Sequence, residues 1–146
     1  MIAEAARVPD PPAPADIRIH PVRDREDTLP PAPVDAPAFG TRLEISERAF
    51  APALVGVEGA RGFLAWQDAE PVGCAVAQDG AGVTGVFGVG VVPSARQRGI
   101  GAALTVAAVR AFPADLAWLL PSDMARPMYE RLGFRDLETW EVWVAR

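Results

Sequence analysis

The pattern of hydrophobic and polar positions divides the chain into two parts. Nine prolines fall before Phe39, and they remove amide donors too often for a helix or a central strand. We therefore predict a disordered leader over Met1–Ala15, a short edge strand over Asp16–His20 and an extended connector over Leu29–Ala38. The leader precedes a single domain that spans Asp16–Arg146.

After Phe39 the pattern predicts regular elements. A proline-interrupted run over Ile45–Val55 favours a weak helix. Turns rich in Asp and Gly then separate three strands, which we expect to form an antiparallel meander. These predicted strands are Gly62–Gln67, Val72–Gln78 and Val83–Val92.

The last third of the chain predicts two helices that alternate with two strands. Apolar residues at helical spacing indicate an amphipathic helix that Pro113 ends, and Gly133 suits the end of a shorter one. The predicted elements are a helix over Ala102–Phe112, a buried strand over Leu116–Leu120, a helix over Asp123–Leu132 and a strand over Phe134–Val144. The order indicates an α/β (α+β) fold with a mixed, mostly antiparallel sheet flanked by helices.

Composition narrows the classes of function. The chain has 146 residues, half of them hydrophobic, which suits one domain with a buried core. A net charge of −5 argues against nucleic acid and anionic membranes as partners. With one cysteine, one histidine and no lysine, the chain lacks an intrachain disulfide, a Schiff-base lysine and a well-supplied metal site, so no metal is expected. The start carries acid and proline rather than a secretory signal, and we expect a cytoplasmic protein.

A glycine-rich turn before the predicted long helix is the first candidate site. Arg96-Gln97-Arg98-Gly99-Ile100-Gly101 follows a strand that Pro93 ends. Such a turn aims several backbone amides, and the positive end of the helix dipole, at one point, which favours a phosphate or pyrophosphate. The dinucleotide fingerprint needs a third glycine where Leu104 stands, and the phosphate-loop motif needs a lysine, so neither pattern fits.

A second stretch of sequence, together with the turn, indicates a protein family. With this block, which runs from Met128-Tyr129 to Gly133-Phe134, the chain resembles the GNAT superfamily of acyl-CoA-dependent N-acetyltransferases. The turn matches the family signature (Gln/Arg)-x-x-Gly-x-(Gly/Ala), and the resemblance covers roughly Phe63–Val144. It implies acetyl-CoA as co-substrate and a strand pair that splays at the CoA site.

The resemblance also implies roles for individual residues. It implies that the turn and the first helical amides hold the CoA pyrophosphate, while the preceding strand pairs with the pantetheine arm. The implied binding residues are Val91, Val92, Arg96, Gln97, Arg98, Gly99, Ile100, Gly101, Ala102 and Ser122, the last standing where many members have Asn. Gly88 and Gly90 suit either a ligand that approaches the strand closely or a bulge with tight packing.

Tyr129 matches the family's general acid, which protonates the departing thiolate. The alternative for Tyr129 is a side chain that only packs. No general base is identified, since His20 and the acids Asp123, Glu138 and Glu141 are better explained as surface or turn residues.

The resemblance implies an enzyme, an acyl-CoA-dependent N-acyltransferase that acetylates an amine of a small molecule or peptide by direct attack. The main alternative is a CoA-binding sensor or subunit that has lost catalysis. The family's usual pair of front helices falls on the proline-rich stretch Leu29–Val55 here. The acceptor pocket is therefore either open or closed by a second copy of the chain in a homodimer.

Overall fold

One sheet organises the computed structural model, which describes residues 1–12, 14–23, 31–49 and 56–140. Its strand order is β1-β6-β5-β4-β3-β2, and every neighbouring pair is antiparallel except β5 and β6, which are parallel. The strands are β1 Ile2–Glu4, β2 Ile17–Pro21, β3 Ala60–Gln67, β4 Glu70–Gly80, β5 Val83–Val91 and β6 Leu116–Trp118.

Helices cover both faces of the sheet. They are α1 Pro31–Phe39, α2 Leu43–Ala49, α3 Ile100–Val109 and α4 Arg126–Arg131. A Cβ placed on Gly73 of β4 would lie 2.8 Å from Leu104 of α3. The opposite face carries Cys74, which packs with Val34 of α1 in a separate apolar cluster. Because consecutive strand residues point to opposite faces, α1 and α3 lie on opposite sides of the sheet.

The central hairpin and the bulge in β5 have local causes. Ala81 and Gly82 both have positive φ (53° and 84°), which is the geometry of a type I′ hairpin turn between β4 and β5. Further along β5, the register with β4 shifts between Cys74 and Val76. Gly88 lies in the extra stretch with φ of 56°, which glycine adopts without strain.

β5 and β6 pair over three residues and then part. Val83, Thr84 and Gly85 pair with the three residues of β6. Beyond Gly85, the rest of β5 has no pairing with β6 among the described residues, and the Leu119 amide donates to the Met1 carbonyl instead (3.0 Å). The described sheet therefore contains the splayed strand pair, and the predicted fold class is confirmed.

The prediction of a disordered leader is wrong for the described part of residues 1–15. Ile2–Glu4 forms an edge strand against β6, and Met1, Ala3 and Val8 are buried. The proline count misled because the prolines of this stretch begin at Pro9, after the segment that pairs. The hydrogen bonds that Ile2–Glu4 gains by pairing with the edge of β6 outweigh the weak strand pattern of this segment.

The extended connector over Leu29–Ala38 is also wrong in its described part. Pro31–Phe39 is helical, with Pro31 at its start, where an amide has no helical acceptor to lose, and Pro37 inside it. Burial of Val34 and Ala36 against the sheet outweighs the poor helix propensity of this segment. The weak helix predicted over Ile45–Val55 is present as α2, while its expected end over residues 50–55 lies outside the described residues.

The predicted final strand over Phe134–Val144 is wrong for residues 134–140. These residues make a single bridge, between Arg135 and Ile2, and residues 141–146 lie outside the described part. β1 therefore lies between β6 and Arg135 and occupies the edge that a final strand would use.

Within the described residues, no helix is long and apolar enough to cross a bilayer.

Burial of β1 gives a test of the corrected fold. Ala3 is 5% exposed and faces Ala117 of β6 in the register. Ala3→Asp places a carboxylate in this buried position and should lower the free energy of unfolding by at least about 2 kcal/mol. The control Glu4→Ala, which removes an exposed ion pair with Arg7, should cost no more than about 0.5 kcal/mol. Urea denaturation measures both, and equal stability of Ala3→Asp and the parent would contradict the placement of β1.

Candidate functional site

The loop before α3 presents open backbone amides. Gln97 and Gly99 have φ of 60° and 81°, so the chain turns sharply before the helix begins at Ile100. The first helical bond to close is from the Ala103 amide to the Gly99 carbonyl (3.0 Å). The amides of residues 100–102 precede this bond and have no acceptor inside the helix. Together with the helix dipole, these amides give the start of α3 the polarity that suits an anion.

The two arginines of the loop tie it to the rest of the fold. Arg96 donates to the carbonyls of Val91 (3.2 Å) and Ala38 (2.9 Å), so it joins the end of β5 to the end of α1. Arg98 donates to Gln67 (3.1 Å) and to the carboxylate of Asp16 (2.6 Å). This hydrogen bond holds the pKa of Asp16 below its usual value. Because Asp16 balances Arg98, the positive charge left over at the loop comes from Arg96.

Gly101 is where β5, α3 and α4 converge. A Cβ built on Gly101 would lie 3.3 Å from Met128 Sδ and 3.8 Å from Val91 Cγ2. The missing side chain therefore makes room for α4 and the end of β5. The same close packing brings the Met128-Tyr129 block to the start of α3.

Of the two explanations offered for Gly88 and Gly90, the structure supports a bulge with tight packing. Gly88 lies in the bulge with positive φ. A Cβ on Gly90 would lie 2.8 Å from the Phe39 ring and 3.0 Å from Ala38 Cβ, so α1 fills that space. Gly90 therefore faces α1, while the next residue, Val91, faces α3 and α4.

Tyr129 is a buried residue in the middle of α4. It exposes 6% of its surface and packs edge-to-face on Phe134, with ring centroids 5.9 Å apart. Burial raises the pKa of Tyr129, and a hydrogen bond with the Thr105 side chain offsets part of this rise. A phenol in this environment keeps its proton at neutral pH and has that proton available for donation.

Thr105 was missed by sequence reasoning, and its side chain acts on the pKa of Tyr129. Its hydroxyl donates to the Gly101 carbonyl (2.8 Å). As a hydrogen-bond donor to the phenolate, it lowers the pKa of Tyr129 against the effect of burial. The signal in the sequence is only its spacing, one helical turn after Gly101.

The remaining sequence-predicted residues surround this convergence. Val92 continues the sheet, because its amide donates to the Val72 carbonyl (3.0 Å). Ser122 is exposed, and its carbonyl accepts the amides of Ala125 and Arg126 (both 3.0 Å) at the start of α4. Pro127 lies in the first turn of α4, where it removes no helical hydrogen bond.

The base candidates taken from the sequence do not gather around Tyr129. His20, Asp123 and Glu138 are exposed, and Glu141 lies outside the described residues. Cys74 is buried, and burial together with the charge of Asp35 raises its pKa to about 12, so its thiol stays protonated. In the parts of the chain that the structure describes, no group of three or more His, Cys, Asp or Glu side chains is arranged to hold a metal ion.

Asp35 of α1 is the other buried polar residue that sequence reasoning missed. It is 9% exposed and accepts a hydrogen bond from Ser46 (2.6 Å). It was overlooked because the proline-rich stretch around it predicts an extended connector, in which no side chain would be buried.

Comparison of the sequence with protein families matches residues 58–136 to the acetyltransferase (GNAT) domain. These residues run from the start of β3 through α4 and contain both sequence blocks. A comparison with curated proteins found no match.

Solved acetyltransferases share the architecture. A GCN5-related N-acetyltransferase from Kribbella flavida is 28% identical with a TM-score of 0.70 over 92% of this chain, which spans 52% of that protein. Aminoglycoside N-acetyltransferase AAC(6')-Iy in complex with CoA is 18% identical with a TM-score of 0.72, covering 92% of this chain and 98% of that one. An aminoglycoside acetyltransferase from an uncultured soil metagenomic sample, in complex with sisomicin, is 12% identical with a TM-score of 0.72, over 90% and 97%. This chain thus spans about half of the first protein but nearly all of the other two.

The environment of Tyr129 can be measured directly, because it is the chain's one tyrosine. Phenolate absorbance in the near ultraviolet should rise at a higher pH than for free tyrosine, because burial raises the pKa of Tyr129. The stability gained by keeping Tyr129 protonated is fully present below the pKa of free tyrosine and is lost as the pH rises through the folded-state value.

Variants of Thr105 separate the effect of its hydroxyl on the pKa of Tyr129 from the effect of burial. Thr105→Val keeps the shape but removes the donor to the phenolate, so it should raise the pKa of Tyr129 further. Thr105→Ser keeps the hydroxyl and should titrate like the parent. An ordinary tyrosine titration in the folded parent, with circular dichroism as the check on folding, would contradict the buried position.

Proposed function

Because the chain belongs to the GNAT acetyltransferase family, we propose that it transfers the acetyl group of acetyl-CoA to a primary amine, with Tyr129 as the general acid. The observation that carries the proposal is the convergence at Gly101, which brings three parts of the fold to one point. These parts are the unpaired edge of β5, the open amides of α3 and the helix that bears Tyr129.

The described residues fit acetyl-CoA. Beyond Gly85, no described strand pairs with the outer edge of β5, and this edge suits the amides of a pantetheine arm, which would bind as an added strand does. The amides of residues 98–102 suit the pyrophosphate, with the charge of Arg96 beside them. The CoA complex of AAC(6')-Iy, a protein of the same fold, supports this assignment. When bound, acetyl-CoA supplies a thioester carbon that an amine attacks directly.

Tyr129 contributes a proton held at its phenolic oxygen. Its burial keeps the phenol protonated, and Thr105 stabilises the phenolate that remains after donation. The Phe134 ring and the close contact of Met128 with Gly101 fix the direction of α4. Orientation of this kind, together with general acid catalysis, is the contribution that such a transfer needs from its protein.

A small-molecule amine is the acceptor that we propose. Two proteins of the same fold are aminoglycoside acetyltransferases, one of them in complex with sisomicin. The net charge of −5 favours a cationic acceptor.

A panel of sisomicin, spermidine, tyramine and a lysine-containing peptide, assayed by release of free CoA thiol, tests the acceptor class. Calorimetric binding of acetyl-CoA without any thiol release would instead favour the CoA-binding module that has lost catalysis.

Tyr129→Phe is the decisive variant for the acid. It keeps the ring against Phe134 and removes only the hydroxyl, so acetyl-CoA affinity should change by less than about 1 kcal/mol. Turnover should fall roughly 10²- to 10⁴-fold, the range for a positioned general acid. The loss should shrink with a thioester whose leaving thiol is more acidic. Unchanged turnover with acetyl-CoA would make Tyr129 a packing residue.

Gln97→Glu tests the anion site with a change of charge alone. Gln97 is exposed in the loop, so folding should be unaffected. The added negative charge should weaken acetyl-CoA binding by about 1 kcal/mol, or roughly five-fold, and added salt should reduce this loss. The matched control is Gln78→Glu, an exposed glutamine on β4, which should bind like the parent. Equal affinities for both variants in calorimetry would place the pyrophosphate elsewhere.

A further inference from the structure

Asp35 stands out among the buried side chains of the described residues. It is the one charged residue among them, and it has no part in the proton donation proposed for Tyr129. Burial of a carboxylate is costly unless it is hydrogen-bonded, so a carboxylate kept at such a position needs an explanation. Its surroundings supply one.

A chain of hydroxyl groups links Asp35 to the surface. Ser46 of α2 is fully buried and donates to Asp35 Oδ2 (2.6 Å). Thr41 Oγ1 lies 2.9 Å from Ser46 Oγ, and Thr41 is exposed. Because the single proton of Ser46 goes to Asp35, Thr41 is the donor in the outer bond. The three side chains therefore form a continuous path for a proton between a buried carboxylate and solvent.

The carboxylate lies on the α1 face of β5. Its neighbour Val34 packs on Cys74, and the charge of Asp35 contributes to the raised pKa of that thiol. Cys74 pairs with Gly90 across the two strands, and Gly90 packs against the end of α1. Asp35 lies one helical turn before Phe39, whose ring is beside Gly90, so it shares the face of α1 that lies nearest to the bulged part of β5.

Asp35 and Tyr129 lie on opposite sides of this strand. Gly90 faces α1, which carries Asp35, while Val91 faces α3 and α4, which carry the tyrosine. A thioester held along the edge of β5 would have one of these groups on each side. An acyl transfer to an amine needs both, since the nitrogen loses a proton and the sulfur gains one.

We propose that Asp35 is the general base that takes the proton from the attacking amine, and that Ser46 and Thr41 pass this proton to solvent. The proposal rests on the transfer reaction proposed above. As the nitrogen–carbon bond forms and the carbon–sulfur bond breaks, the amine proton goes to the Asp35 carboxylate and the Tyr129 proton goes to sulfur. Tyr129 then regains a proton from water, so protons balance over the cycle.

The described charged groups near Asp35 have partners of their own. Arg42, just before α2, is paired with Glu44 (2.6 Å). Arg96, in the loop before α3, donates to the Ala38 and Val91 carbonyls. On β4, the nearby titratable group is the protonated thiol of Cys74. Asp35 itself accepts its hydrogen bond from the neutral hydroxyl of Ser46.

Asp35→Asn tests the proposal, because it keeps the shape and an acceptor for Ser46. With acetyl-CoA and the panel amine that the parent acetylates fastest, kcat should fall about 10²- to 10³-fold, while calorimetric binding of acetyl-CoA stays within about two-fold. The parent's kcat should decline at acidic pH as the base takes up a proton, and this acidic limb should be missing in Asp35→Asn. A structural role would change stability but would leave the shape of the pH profile intact.

Two further variants complete the test. Ser46→Ala interrupts the relay but keeps the carboxylate, so kcat should fall about three- to ten-fold and the acidic limb should remain. Glu44→Gln removes an exposed carboxylate from the same helix pair and should behave as the parent. If Asp35→Asn retains the kcat and acidic limb of the parent, Asp35 is not the base. If the parent itself releases no thiol with any panel amine, the proposed transfer reaction fails, and the role of Asp35 fails with it.

Discussion

The early end of the pairing between β5 and β6 is the constraint on which the rest of the structure depends. Three residue pairs join the strands, and after Gly85 no described strand pairs with the outer backbone of β5, while β6 continues along β1. An unpaired strand edge is usually covered in proteins, because it attracts another strand. Within the described residues this edge of β5 is uncovered, and it lies next to the turn before α3. The proposed binding of acetyl-CoA uses this edge and needs no deep cavity.

Helices pack on both faces of β5 next to this edge. The alternation of a strand sends Gly90 toward α1 and Val91 toward α3 and α4. Glycine at positions 90 and 101 lets these helices approach closely, so the groups they carry lie near the same stretch of backbone. Buried Asp35 comes from one side, and Tyr129 with its partner Thr105 comes from the other. In the proposed reaction, the base therefore comes from one face of the strand and the acid from the other.

Local patterns predicted the parts of the fold that local physics decides. The meander followed from alternation and from turns such as Ala81-Gly82, and α3 followed from helical spacing after a glycine-rich loop. Long-range pairing overturned the rest, since Ile2–Glu4 has a weak pattern and is a strand only because β6 offers an edge. The site divides in the same way: Tyr129 and the loop carry motifs, whereas Asp35 and Thr105 are recognised only once their burial is known.

The position of β1 has a consequence for how the chain folds. Ile2 pairs with Trp118 and bridges to Arg135, so residues from the start of the chain complete the sheet next to residues near its end. Contacts between such distant positions are slow to form, because a long loop must close before they add any stability. During synthesis, the first strand has no partner until β6 has left the ribosome. The meander and α3, whose contacts are closer in sequence, can assemble earlier, and closure of the β1 edge is then the late step of folding.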